Sequence, residues 1–146
     1  MTTLYQRLRD TWLASGVSTN SCTSLSKLED VEKKHHIQLP SQFRNYMLTS
    51  NGMTDGQIDR SLISFLSLDA IDREMAATVG NSEDSVDIPF AEFSIYSHYY
   101  ALRITKDGTQ LGVYAADGTN EKQLASSFDS FVELYLSNPE IIAHCW

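Results

Sequence analysis

Between Leu39-Pro40 and Asn51-Gly52 the chain has room for one short helix and little else. Pro40 fixes its own φ and Ser41 offers a capping oxygen, so the sequence predicts a helix start there. Phe43, Tyr46, Met47 and Ser50 recur at spacings of three and four, which puts them on one face. Asn51-Gly52 predicts a left-handed stop. The segment just before, Leu28 to Ile37, is amphipathic too. Ser26-Lys27-Leu28-Glu29 fits a capping box, and Asp30 early with Lys33 and Lys34 late suits the helix dipole. Two short helices joined at a proline cannot bury their apolar faces alone. The rest of the chain must supply the surface they pack on.

That surface reads as a sheet. Ser61–Leu66 is apolar and strand-like, and Leu68–Thr78 reads as a helix with Leu68, Ile71, Met75 and Val79 in register. Gly80–Asp87 reads as a loop. From Ile88 the period changes to two, with Phe90, Glu92 and Ser94 alternating against Ala91, Phe93 and Ile95. Tyr99–Thr105 and Gln110–Ala115 are further strands joined by Lys106-Asp107-Gly108-Thr109, and Asp-Gly is a hairpin signal. A second turn, Ala116-Asp117-Gly118-Thr119, leads to a short strand near Lys122–Leu124.

Helices close both ends. Thr2–Ala14 places Leu4, Leu8 and Trp12 on one face, and Gly16 stops it; Val17–Thr23 is a polar linker. Ser126 or Ser127 starts a last helix through Leu136, striped by Phe128, Phe131, Val132 and Tyr135 and ended by Asn138-Pro139. The tail Glu140–Trp146 is expected to fold back. The fold class is α+β, a mostly antiparallel sheet of about four to six strands flanked by helices. A length of 146 residues predicts one domain over 1–146. It is divided into N-terminal helices at 2–51, a strand and helix at 61–79, antiparallel strands at 88–124 and a C-terminal helix at 126–137.

The formal charge is −8, unevenly spread. Residues 1–50 carry six basic against four acidic side chains, residues 51–100 two against nine, and residues 101–146 three against six. An acidic middle third repels nucleic acid and anionic membranes and attracts basic partners. The same charge also serves solubility, and charge alone does not choose between the two. No apolar run approaches the ~20 residues that span a bilayer. Met1–Arg9 carries no apolar signal core, so a cytoplasmic location is expected, and a disulfide between Cys22 and Cys145 is not.

Chemical motifs are scarce. Asp117-Gly118-Thr119 invites comparison with phosphoryl-transfer enzymes of the haloacid dehalogenase type, which need a nucleophilic Asp two positions before that Asp. Ala115 stands there, and Thr105 stands before Asp107, so both read as turns. His35 and His36 are adjacent and point about 100° apart on a helix, which suits a helix end better than a metal site. His98 has no cysteine nucleophile in its segment, and the neighbours His144 and Cys145 are not arranged by adjacency. No Gly-x-Ser-x-Gly elbow or Gly-rich phosphate loop is present. Glu83, Asp84 and Asp87 lack the regular spacing of a calcium loop and read as a solvated acidic loop. No catalytic residue, cofactor or metal is expected. Tyr96, Tyr99 and Tyr100 flank His98; about half of the group should face the core, and an exposed tyrosine is a good interface anchor.

The order Leu28…Glu32…Ile37…Leu39-Pro40…Phe43…Tyr46-Met47…Asn51-Gly52 resembles the SUKH superfamily, which includes bacterial toxin-immunity proteins and fungal Smi/Knr cell-wall regulators. Leu68-Asp69-Ala70-Ile71, Ile88-Pro89-Phe90-Ala91 and Ala125-Ser126-Ser127-Phe128 through Phe131 extend the resemblance over about residues 24–137. The resemblance implies a non-enzymatic protein-binding module. It would be an immunity protein neutralising a cognate bacterial polymorphic or contact-dependent toxin, such as a nuclease with a basic cleft. A Smi/Knr-like regulator or scaffold binding an endogenous partner is the alternative, and an enzyme with an unrecognised site is a second. The expected partner is a basic toxin domain rather than nucleic acid or membrane, met by a monomer or weak homo-oligomer. The partner-binding residues would be Asp55, Asp59, Glu83, Asp84 and Asp87, with Tyr96, Tyr99 or Tyr100 as anchors.

Overall fold

The computed structural model describes residues 2–77, 84–94 and 97–146. Three helices come first: α1 (Leu4–Ala14), α2 (Leu25–His35) and α3 (Ser41–Thr49). Next come β1 (Ile63–Phe65), α4 (Leu68–Ala77), β2 (Val86–Phe93), β3 (His98–Ile104), β4 (Gln110–Ala116) and β5 (Glu121–Ala125). Helices α5 (Phe128–Ser137) and α6 (Pro139–Ala143) follow. The five strands form one antiparallel sheet in sequence order, β1-β2-β3-β4-β5. This is the α+β fold that the sequence predicts.

The inner face of the sheet is sealed by aromatic rings. Phe90 of β2 meets Phe128 and Phe131 of α5, each at a centroid distance of 5.1 Å and nearly perpendicular. Phe43 of α3 lies 5.2 Å from Phe128, and Trp12 of α1 lies 4.8 Å from Phe65 of β1. The three nearly perpendicular pairs, Phe90 with Phe128 and Phe131 and Phe43 with Phe128, add roughly 0.5–1.5 kcal/mol each beyond their buried area. Helices α1, α3 and α5 therefore stand on one side of the sheet. Helix α4 packs near β2, and its Asp72 is tied to α2 by Lys34 at 3.1 Å and His35 at 2.7 Å.

Several local expectations are corrected. Helix α2 begins two residues earlier than the expected box: Ser24 caps it by accepting from the Lys27 N–H, and its first turn holds no acid. It ends on His36, which takes the left-handed conformation. Helix α1, in contrast, has a full capping box between Thr3 and Gln6. Helix α3 starts after Pro40 with no side-chain cap. It ends on an extended Ser50 before reaching Asn51-Gly52. Asn51 instead turns its Oδ1 to the Leu68 N–H at 2.7 Å and caps α4. Gly52 has φ +70°, and a Cβ there would collide with the Leu66 carbonyl, so the loop closes tightly on β1. Strand β2 starts at Val86, inside the expected loop. A register shift between Pro89 and Ala91 breaks the strict alternation and turns both Phe90 and Ala91 inward. A short helix, α6, occupies the tail, with Ile142 buried. Val79 and Ile95 lie outside the described residues.

Candidate functional site

The opposite face of the sheet carries polar side chains to solvent. Side chains paired across antiparallel strands share a face, so the register reads it out directly. Glu92 pairs with Tyr99, and Tyr99 with Ala116, which pairs with Glu121; Asp87 pairs with Arg103. Ser64 of β1 pairs with Glu92 at the other end of that row. Tyr99 is 37% exposed here, whereas Tyr100 beside it is fully buried.

Arg103 organises the centre. Its Nε and Nη2 donate to the two oxygens of Asp87 at 2.8 and 3.1 Å. Its Nη1 and Nη2 donate to Glu121 at 3.1 and 2.8 Å. The guanidinium lies over the Tyr114 ring, 4.1 Å from the centroid. Two-point pairing with two carboxylates holds the Arg103 charge firmly, pushing its pKa up and that of Glu121 down. One cation here faces two anions, so this part of the face stays negative. Burial, with Asp87 and Glu121 nearby, raises the pKa of Tyr99.

The face runs on into a cleft beside α4. An inner hollow of about 250 Å³ is walled by Met53, Phe65, Leu66 and Ala70, with Asp55, Arg73, Glu74 and Glu92 around it. Burial, and then the neighbouring Glu74 charge, push the Glu92 carboxyl above its usual range. An outer hollow of about 420 Å³ adjoins it, and the two share Asp55 and Arg73.

The expected site residues divide between these places. Asp87 and Tyr99 meet on the open face, Asp84 is exposed just before β2, and Asp55 is exposed at the cleft. Asp59 is corrected to a structural part. One of its oxygens accepts the Ser61 and Ile63 N–H groups at 2.8 and 2.9 Å, and the other accepts the Tyr135 hydroxyl. Tyr100 is corrected likewise, since its hydroxyl donates to the Ile142 carbonyl inside the core at 3.0 Å. Glu83 and Tyr96 lie outside the described residues. Glu92, Arg103 and Glu121 were not singled out from sequence. Counting residue pairs outward from the Asp107-Gly108 hairpin places Arg103 and Tyr99 on one face, and that signal was available.

The other titratable groups are accounted for by structure. Asp117 accepts the Thr119 and Asn120 N–H groups at 2.9 and 2.7 Å, a turn that lowers its pKa. Asp107 does the same with Thr109 and with the Thr105 hydroxyl. His98 is buried, and burial lowers its pKa. Its Nδ1 accepts the Trp146 indole N–H at 3.2 Å, and its Nε2 lies 3.0 Å from the Tyr100 hydroxyl. The indole only donates, so Nδ1 must present its lone pair. Both cysteines are free. Among the described residues, no cluster of His, Cys, Asp or Glu is arranged to hold a metal, and no helix is long and apolar enough to cross a membrane.

The site is thus the outer face of a helix-backed antiparallel sheet, with Asp87, Glu92 and Glu121 at its surface. The chain belongs to the SMI1 / KNR4 family (SUKH-1), whose pattern matches residues 22–134. The match runs from the linker before α2 into α5, so it covers the whole sheet. No match was found among curated proteins.

Proposed function

We propose that this protein is an immunity protein, acting by binding and without catalysis, that neutralises a cognate toxin domain of basic surface. The observation that carries this is the acidic strip of Asp55 and Glu92 in the cleft, then Tyr99, then Asp87 and Glu121 around Arg103, in which carboxylates outnumber arginines. It lies on the side of the sheet away from α1, α3 and α5. Such a strip steers a positively charged partner and adds to association rate more than to final affinity. Tyr99, half-exposed among these charges, supplies the rigid amphipathic anchor that interfaces favour.

The test is co-expression with the toxin encoded beside this protein's gene. Survival above an empty vector is expected, and it should fall when Tyr99→Ala and Glu121→Lys are combined. Survival no better than the vector would count against the reading. A pull-down dominated by an endogenous complex would then favour a Smi/Knr-like regulatory role.

A further inference from the structure

One buried histidine ties the segment 142–146 to the sheet. The His98 ring stacks on Phe93 of β2, 4.8 Å between centroids and 18° from parallel. The Trp146 ring stands edge-on to it at 5.7 Å and 89°. Three hydrogen bonds run through this histidine in series. The Trp146 indole N–H donates to Nδ1 at 3.2 Å. Nε2 lies 3.0 Å from the Tyr100 hydroxyl, which itself donates to the Ile142 carbonyl at 3.0 Å. Tyr100 has a single hydroxyl proton, and Ile142 takes it, so the proton between Nε2 and Tyr100 belongs to Nε2. The series starts on Trp146 and ends on Ile142, and it clamps both ends of the segment.

This order tolerates only the neutral imidazole. A second proton would sit on Nδ1 and point at the indole N–H, donor against donor. Nε2 would keep its bond, and Trp146 would lose its own. Trp146 is also the end that can leave, being 56% exposed, whereas Ile142 is fully buried. Burial opposes a charge on His98 and outweighs the Asp117 carboxylate, just after β4, which favours it. From β5, Lys122 adds a positive charge beside the segment, donating to the Cys145 carbonyl at 2.7 Å. The Cys145 thiol is buried, and burial raises its pKa, so it brings no charge. His144 meets the Phe93 ring edge-on at 6.2 Å and pairs with Glu140 at 3.1 Å.

We propose that His98 is a pH-operated latch: neutral, it holds the Trp146 indole against the sheet, and protonated, it releases the indole and uncovers the Phe93–His98 stack. The sign follows from linkage. The closed state disfavours the proton and the open state takes it at the ordinary histidine value. The closed form therefore dominates above that value. It gives way as pH falls from there through the lower closed-state value, by at most about ten-fold per pH unit. His98 shares the inner side with Tyr100, so the latch works whatever partner occupies the face that carries Tyr99.

The test is a pH titration of the intact protein by proton–nitrogen NMR, from about pH 8 down to the onset of acid unfolding. Two indole N–H signals report, and that of Trp12, bonded to the Tyr135 hydroxyl, is the internal control. The Trp146 signal is expected to move with the His98 ring nitrogens at one midpoint, below the ordinary histidine range, and to exchange faster with water in acid. Trp12 should stay still, and neutral His98 should carry its proton on Nε2. Trp146→Phe keeps a ring and removes the donor, and should raise the His98 midpoint by about half to one pH unit, the size of one lost hydrogen bond. His144→Gln should leave the Trp146 response as it is. A Trp146 signal that ignores His98 or disappears from the titration in His144→Gln would overturn the proposal. So would a His98 proton on Nδ1, a His98 that stays neutral until the protein unfolds, or a midpoint unmoved in Trp146→Phe.

Discussion

The two faces of the sheet are built from the same four long strands and behave as opposites. Inside, Phe90 and Tyr100 lock against Phe131 of α5, and the hydroxyl of Tyr100 is committed to the Ile142 carbonyl. Outside, Arg103 pairs with Asp87 and Glu121 at the edge of water, and Tyr99 stands exposed on the same face. One residue of register separates Tyr99 from Tyr100, and it decides which of the two an approaching molecule can touch. The apolar packing is concentrated on the helix-backed side, whereas the outer side carries the charged groups.

Mutations should separate these sides by size and by sign. Phe128→Ala removes a ring packed against Phe43, Tyr46 and Phe90, and is expected to cost about 3–5 kcal/mol in denaturant unfolding. A loss below about 1 kcal/mol would mean that the inner cluster is not the main source of stability. Asn51→Ala removes the acceptor of the Leu68 N–H at the start of α4, where Ser67 still caps the Ala70 N–H, and should cost about 1 kcal/mol, measured the same way. It tests the helix that borders the cleft.

Asp72 gives a pH-dependent contrast. His35 first, then Lys34, hold its carboxyl below the ordinary range. A carboxyl lowered by folding contributes stability above its unfolded pKa, and the contribution is lost as pH falls through the folded value. Asp72→Asn should therefore destabilise by less than about 1 kcal/mol near neutrality. The gap to wild type should close in acid, as unfolding curves across pH would show.

Glu92→Gln should go the other way. A carboxyl whose pKa folding has raised favours the folded state below its unfolded pKa, and that benefit disappears as pH climbs through the folded value. The amide should thus be slightly more stable than wild type near neutrality, by less than about 0.5 kcal/mol after solvent screening, and equal to it in acid. A destabilised variant would show that Glu92 is a structural residue.

The inner side was readable because helical spacing is periodic. Phe43, Tyr46 and Met47, then Phe128, Phe131 and Tyr135, declare their faces in the sequence alone, and all six are buried. The outer side was readable only in part. Period-two counting fails through the irregularity at Pro89 and Ala91, so Glu92 could not be placed until the register with Tyr99 and Ser64 was known. Asp59 looked like a surface acid because its partners, two backbone N–H groups and Tyr135, leave no mark in sequence. The expected stop at Asn51-Gly52 had the right residues in a different part: Asn51 caps the next helix, and Gly52 permits a close approach. Charge counting located the acidic third correctly, yet the pairing of Asp87 and Glu121 with one arginine is a tertiary fact.

The central claim is that the partner lands on the outer face of the sheet. Hydrogen exchange of the protein, alone and bound to the toxin domain encoded beside its gene, tests it most directly. Slowed exchange in β2, β3 and the loop at Gly52–Gly56, with α1 and α5 unchanged, is the predicted footprint. Protection confined to α1 and α5, with the sheet face exchanging as in the free protein, would contradict it.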